Sequence, residues 1–85
     1  MPVFSISYDL IKRKDYPELW AELARIGAQR YLLSQWALRR GDTVTASDLR
    51  DHLLEFIDAD DRLFVARVDD ADWASQNAFI NVNDV

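Results

Sequence analysis

Asp9 ends the alternating run Val3-Phe4-Ser5-Ile6-Ser7-Tyr8-Asp9, and three bases follow it almost at once, at Lys12-Arg13-Lys14. A carboxylate is a hard oxygen donor of the kind Mg²⁺ takes, commonly with waters and a substrate phosphate completing the shell, so Asp9 is the candidate catalytic and metal residue. The competing reading is structural: Asp9 closes the strand by accepting backbone N–H groups of the following loop. Lys12, Arg13 and Lys14, together with Arg39 and Arg40, make a candidate nucleic-acid-binding patch, because basic groups bind a phosphate backbone by displacing its counterions. The alternative for them is a solvated loop, or partners for the acidic half of the chain.

Other combinations of residues exclude chemistry. No cysteine means no disulfide frame, no thiolate metal site and no cysteine nucleophile. A single histidine, His52, rules out a histidine-rich metal site and argues against a serine–histidine triad within one chain. Set among Asp48, Asp51 and Glu55, it reads as a surface residue of a helix. Asp58, Asp60 and Asp61 invite a calcium loop, but Arg62 falls at the fifth position and no glycine follows, so turn and solubility roles fit better.

The elements that position these residues follow from periodicity. In the first run Phe4, Ile6 and Tyr8 point one way and Ser5, Ser7 and Asp9 the other, which predicts a strand with one buried and one polar face. Asp15-Tyr16-Pro17-Glu18 predicts a helix start, with Asp15 as N-cap and Pro17 in the first turn. Its apolar stripe is Tyr16, Leu19, Trp20, Leu23 and Ile26, with Glu18, Glu22 and Arg25 outside it and Gly27 as the C-terminal stop. Residues 30–39 read as one long strand or as two strands in a hairpin turning near Ser34-Gln35; the hairpin is preferred because two helices must be linked across a sheet. Thr45 and Asp48 form a capping box for a second helix with the stripe Leu49, Leu53, Phe56 and Ile57, widened by Ala46 and Leu54. A strand over 62–68 follows. Residues 69–85 form a tail suited to a short edge strand, with Trp73 and Trp36 as candidate subunit-interface residues, since tryptophan is favoured there.

An 85-residue chain makes one domain with a thin core, for which support from a second subunit is natural. Net charge is −5, but residues 1–41 carry +3 and residues 42–85 carry −8, so a basic face or two complementary faces are expected. No segment approaches the ~18 apolar residues of a membrane span, and no leader-like pattern opens the chain. A soluble, cytoplasmic protein without membrane contact is the expectation. The element order predicts an α+β domain over 1–85 of ferredoxin-like βαββαβ type, a split sandwich with two helices on one face of an antiparallel sheet and the other face open.

The first strand ending in Tyr8-Asp9, the helix closed by Gly27, Ser34 two residues before an aromatic at Trp36, and Ile57-Asp58 leading into the strand Leu63 to Val68 resemble the CRISPR-associated Cas-two family. The likeness covers roughly Val3 to Val68. It implies a ferredoxin-like fold, a homodimer formed through the sheets, and a scaffold role beside an integrase partner in CRISPR spacer acquisition. It also implies a Mg²⁺-dependent endonuclease activity, as described for some members. On this resemblance Asp9 stands at the dimer axis, where two copies share Mg²⁺, while Ser34 and Trp36 match the serine and aromatic of the second strand region and belong to the interface. The chain departs from the family pattern at Ala37, where an acid is usual, and by one extra residue between Gly27 and Ser34. A virulence-associated protein D-like toxin nuclease outside CRISPR loci, or a non-catalytic homodimeric scaffold, fits the same features.

Overall fold

The computed structural model describes residues 3–10, 17–41, 43–68, 74 and 76–80. Strand β1 (Val3–Asp9) leads to helix α1 (Pro17–Arg25), then to strands β2 (Gln29–Leu32) and β3 (Gln35–Arg39). Helix α2 (Ala46–Leu53) follows, runs on as a 3₁₀ turn at Leu54–Phe56, and leads to strand β4 (Arg62–Val68). The hairpin expected within 30–39 is present, with its turn at Leu33 and Ser34. The proposed cap Asp15, the stripe residue Tyr16 and the basic triplet Lys12, Arg13 and Lys14 lie outside the described residues.

Local chemistry accounts for the helix ends. Pro17 is the first helical residue of α1, where its missing N–H removes no hydrogen bond. At the other end Gly27 takes φ +93°, a region that a side chain disfavours, and the Gly27 and Ala28 N–H groups donate to Ala24 and Leu23 carbonyls at 3.1 and 2.9 Å. This pair of reversed bonds is a Schellman stop, and it satisfies carbonyls that the helix would otherwise leave open. Helix α2 has the expected box: the Asp48 N–H donates to Thr45 Oγ1 and the Thr45 N–H to Asp48 Oδ2, both at 3.1 Å.

The four strands form one antiparallel sheet in the order β2-β3-β1-β4. The protein is therefore an α+β domain with β1 central, which is why Phe4 and Ile6 are fully buried. Phe4, Ile6 and Tyr8 of β1 and Trp36 and Leu38 of β3 share one core with Leu19 and Leu23 of α1 and Leu49 and Leu53 of α2. Both helices thus cover the same sheet face. Leu63 and Val65 of β4 border this core.

Two helix residues depart from the sequence reading. Leu54, expected to widen the stripe of α2, is 47% exposed, because the chain tightens there into a 3₁₀ turn and its angular step no longer follows the α-helical period. Glu22, expected outside the stripe of α1, is 7% exposed, for reasons given below.

The second sheet face is only half open. Val3, Tyr31 and Ala37 form a small cluster there, against which Ala78 and Ile80 pack. The Phe79 N–H donates to the Tyr31 carbonyl at 2.9 Å, and the Tyr31 hydroxyl meets Ser5 Oγ at 2.9 Å. The described part of the tail contains no strand; it folds back onto its own sheet beside β2. No described helix is long and apolar enough to cross a membrane.

Candidate functional site

The described part of the tail leaves uncovered the half of this face at the C-terminal end of β1. Antiparallel register sets Ser7 between Gln35 on β3 and Phe64 on β4, and sets Asp9 opposite Arg62. Asp9 is exposed, and Phe64 is 66% exposed despite its size. Asp9, Ser34, Gln35, Arg62 and Phe64 line a shallow cleft of about 180 Å³. A carboxylate, an arginine fork, a hydroxyl, a carboxamide and an exposed ring therefore converge at one end of the sheet. Such a set can hold a hydrated cation at Asp9, a phosphate at Arg62 and a stacked ring at Phe64.

A second and larger cleft, about 470 Å³, opens on the helix side of the same sheet end. It shares Tyr8, Asp9 and Ser34 with the first and adds Leu10, Trp20, Arg30 and Leu33. Tyr8 is 5% exposed, and its hydroxyl oxygen accepts the indole N–H of Trp20 at 2.8 Å and of Trp36 at 3.0 Å. Arg30 lies with its guanidinium carbon 4.6 Å from the Trp20 ring centre and 5.9 Å from that of Trp36, and donates to the Leu33 carbonyl from Nε at 3.0 Å. Cation–π contact and the carbonyl hold this long side chain in place and tie the β2–β3 turn to α1. Because Tyr8 is thus fixed from two sides, Asp9 next to it sits on a rigid strand end.

Glu22, on the opposite face of α1 from solvent, is a buried carboxylate with two partners. Arg25 donates to it from Nε at 2.6 Å and from Nη2 at 2.5 Å, and His52 Nε2 of α2 lies 2.5 Å from Oε2. The Arg25 hydrogen bonds, followed by that of His52, hold its pKa at about 2 against an ordinary 4.5, while burial pushes the other way. His52, read as a surface residue, is a half-buried link between the two helices, with its ring centre 5.6 Å from that of Phe56.

The remaining sequence candidates are dispersed. Arg39 pairs with Val3, so Arg39 and Arg40 stand at the opposite end of β1 from Asp9, roughly 20 Å away at the usual strand rise. Arg40 donates to the Ile26 carbonyl and braces the end of α1. Trp36, a candidate interface residue, is 8% exposed within its own domain, because its register with Ile6 turns it to the helix face. Ser34 is half-buried in the turn, and Trp73 lies outside the described residues. Arg62, Phe64 and Arg30 escaped the sequence reading: only strand register places the first two beside Asp9, and only the tertiary fold places Arg30 over Trp20.

The donors at Asp9 are hard oxygens, which suits Mg²⁺, but among the described residues one chain brings one carboxylate to the cleft. Among the described residues no three acidic or histidine side chains come together as a metal cluster. A second Asp9 from another copy would complete a two-carboxylate set. No family model matches the chain.

Proposed function

We propose that this chain is a ferredoxin-like, nucleic-acid-associated protein of Cas-two-like type, which works as a homodimer and cleaves phosphodiesters with Mg²⁺ held between two Asp9 side chains. The observation that carries the reading is the convergence of exposed Asp9 with Arg62 and Phe64 on the uncovered half of the sheet. The antiparallel order β2-β3-β1-β4, with both helices on one face, supports the fold assignment. Mg²⁺ bound there supplies Lewis-acid polarisation of the phosphate and a more acidic water. Arg62 orients the phosphate by its two-pronged guanidinium, and Phe64 offers a face to a neighbouring base. A role in the cytoplasm beside an integrase during CRISPR spacer acquisition follows from the family resemblance alone.

The test is cleavage of labelled RNA and DNA by wild-type protein and Asp9→Ala, each with Mg²⁺ and with EDTA, alongside light scattering. Mg²⁺-dependent cleavage lost in Asp9→Ala, from a particle of twice the chain mass, is the expected result. Cleavage unchanged by the substitution removes Asp9 from catalysis. A second reading, a non-catalytic homodimeric scaffold, is favoured by Arg62 itself, whose positive charge opposite Asp9 competes with a bound cation. A dimer that binds nucleic acid and never cleaves it selects this second reading.

A further inference from the structure

We propose that the larger cleft between Trp20, Arg30 and the β2–β3 turn is a subsite for one unpaired nucleobase, so that the strand bound at Asp9 is single-stranded there. The inference rests on the nucleic-acid reading above and adds to it a place for a base.

Three observations carry it. The first is continuity: Asp9 and Ser34 line both clefts, so a strand whose phosphate lies at Asp9 has a neighbouring base within reach of the second cleft. The second is unused donor capacity inside it. The Tyr8 hydroxyl fills both of its acceptor positions with indole N–H groups, yet its own proton has no acceptor among the described residues. Arg30 spends Nε and Nη2 on the Leu33 carbonyl, and its Nη1 meets no acceptor among them. The buried Tyr8 proton, with the Nη1 of half-buried Arg30 beside it, favours a ligand that brings oxygen or ring-nitrogen lone pairs, which is what a base edge carries. The third is shape and lining. Leu10 and Leu33 give apolar walls, the Arg30 guanidinium stacked on the Trp20 indole gives a planar one, and 470 Å³ is ample for one base with its sugar. Arg30 adds a cation, which suits the polyanion to which the base is attached. A paired base cannot enter such a cleft, because its edge is occupied and its faces are stacked.

The experiment measures binding in EDTA, where cleavage is silent, by fluorescence anisotropy of three probes. These are a labelled single strand, the same strand with abasic sites in place of its bases, and the same sequence as a duplex. The intact strand is expected to bind about tenfold more tightly than the abasic strand, the scale of one aromatic–base contact. Leu33→Glu should bring the intact strand down to the abasic affinity; Leu33 is 73% exposed, so the fold tolerates the change, and circular dichroism checks it. Equal affinity for intact and abasic strands, or a duplex bound as tightly as the single strand, overturns the subsite and leaves the cleavage reading standing. Base-dependent binding without Mg²⁺-dependent cleavage keeps the subsite and defeats the nuclease. No binding of any probe, in EDTA or with Ca²⁺ in place of Mg²⁺, overturns both.

Discussion

Tyr8→Phe isolates the interaction that stiffens the strand end beneath Asp9. The substitution keeps the ring and removes one oxygen, so the packing of β1 against α1 is preserved while two indole N–H groups lose their acceptor. The Trp36 N–H lies in the interior, on a residue 8% exposed, and its desolvation costs about 1–3 kcal/mol when left unpaired. Trp20 is half-buried and can turn its N–H toward water, which adds roughly 0.5 kcal/mol. Removing a hydroxyl whose own proton lacks an acceptor among the described residues gives part of this back. The net expectation is a loss of about 2 kcal/mol, or a fall in melting temperature of roughly 8–15 °C for a domain of this size. Urea unfolding followed by tryptophan fluorescence reads it directly, as a lower midpoint at unchanged slope. The pairwise origin is checked with Trp36→Phe: the double variant should be less destabilised than the two single losses combined, by about 1 kcal/mol. A Tyr8→Phe variant within 0.5 kcal/mol of wild type, a margin set by the usual size of neutral substitutions, would show that the hydroxyl does not hold the two indoles.

Two further outcomes follow from the helix ends and the link between helices. The pKa of Glu22 lies at about 2 in the folded chain against an ordinary 4.5, so its contribution to stability is present above pH 4.5 and is lost as pH falls toward 2. Acid titration followed by circular dichroism should therefore show a shallower loss across that interval in Glu22→Gln, which starts from a less stable state at neutral pH; parallel profiles would refute the coupling. Thr45→Ala removes the acceptor for the Asp48 N–H and should cost about 1 kcal/mol in urea unfolding. Restoration by Thr45→Ser, but not by Thr45→Val, separates the cap from the loss of side-chain volume.

What could be read from the chain was the part written in short-range pattern. The alternation in Val3–Asp9, the Thr45/Asp48 box and the strand Arg62–Val68 each depend on residues within a few positions of one another, and each appears where the spacing put it. Glu22 could not be read in this way. Its burial depends on His52, thirty positions along, and a glutamate viewed on its own helix is a solvent residue. Trp36 illustrates the same limit: alternation gives a strand residue two possible faces, and only the pairing with Ile6 selects the core. Within the candidate site Asp9 was legible because it ends an alternating strand. Arg62 and Phe64 were not, because shifting the β1–β4 register by one residue would send both to the other face. The half-covered sheet face lay furthest from view, since nothing in Ala78-Phe79-Ile80 distinguishes a segment that folds home from one that reaches a neighbour.

The two margins of the sheet differ in what they leave available. On the β2 side the backbone carbonyl of Tyr31 is already taken by the Phe79 N–H, while no described strand lies outside β4. A sheet obstructed on one side can be extended only from the other. If two copies join along β4, the antiparallel contact is self-complementary and uses up the margin left open among the described residues, so growth stops at a pair. Arg62 and Arg67, near the two ends of an otherwise apolar strand, add repulsion between copies that approach in the wrong register. In such a pair the folded-back segment would cap the assembly, because its Phe79 N–H already occupies the β2 margin at Tyr31.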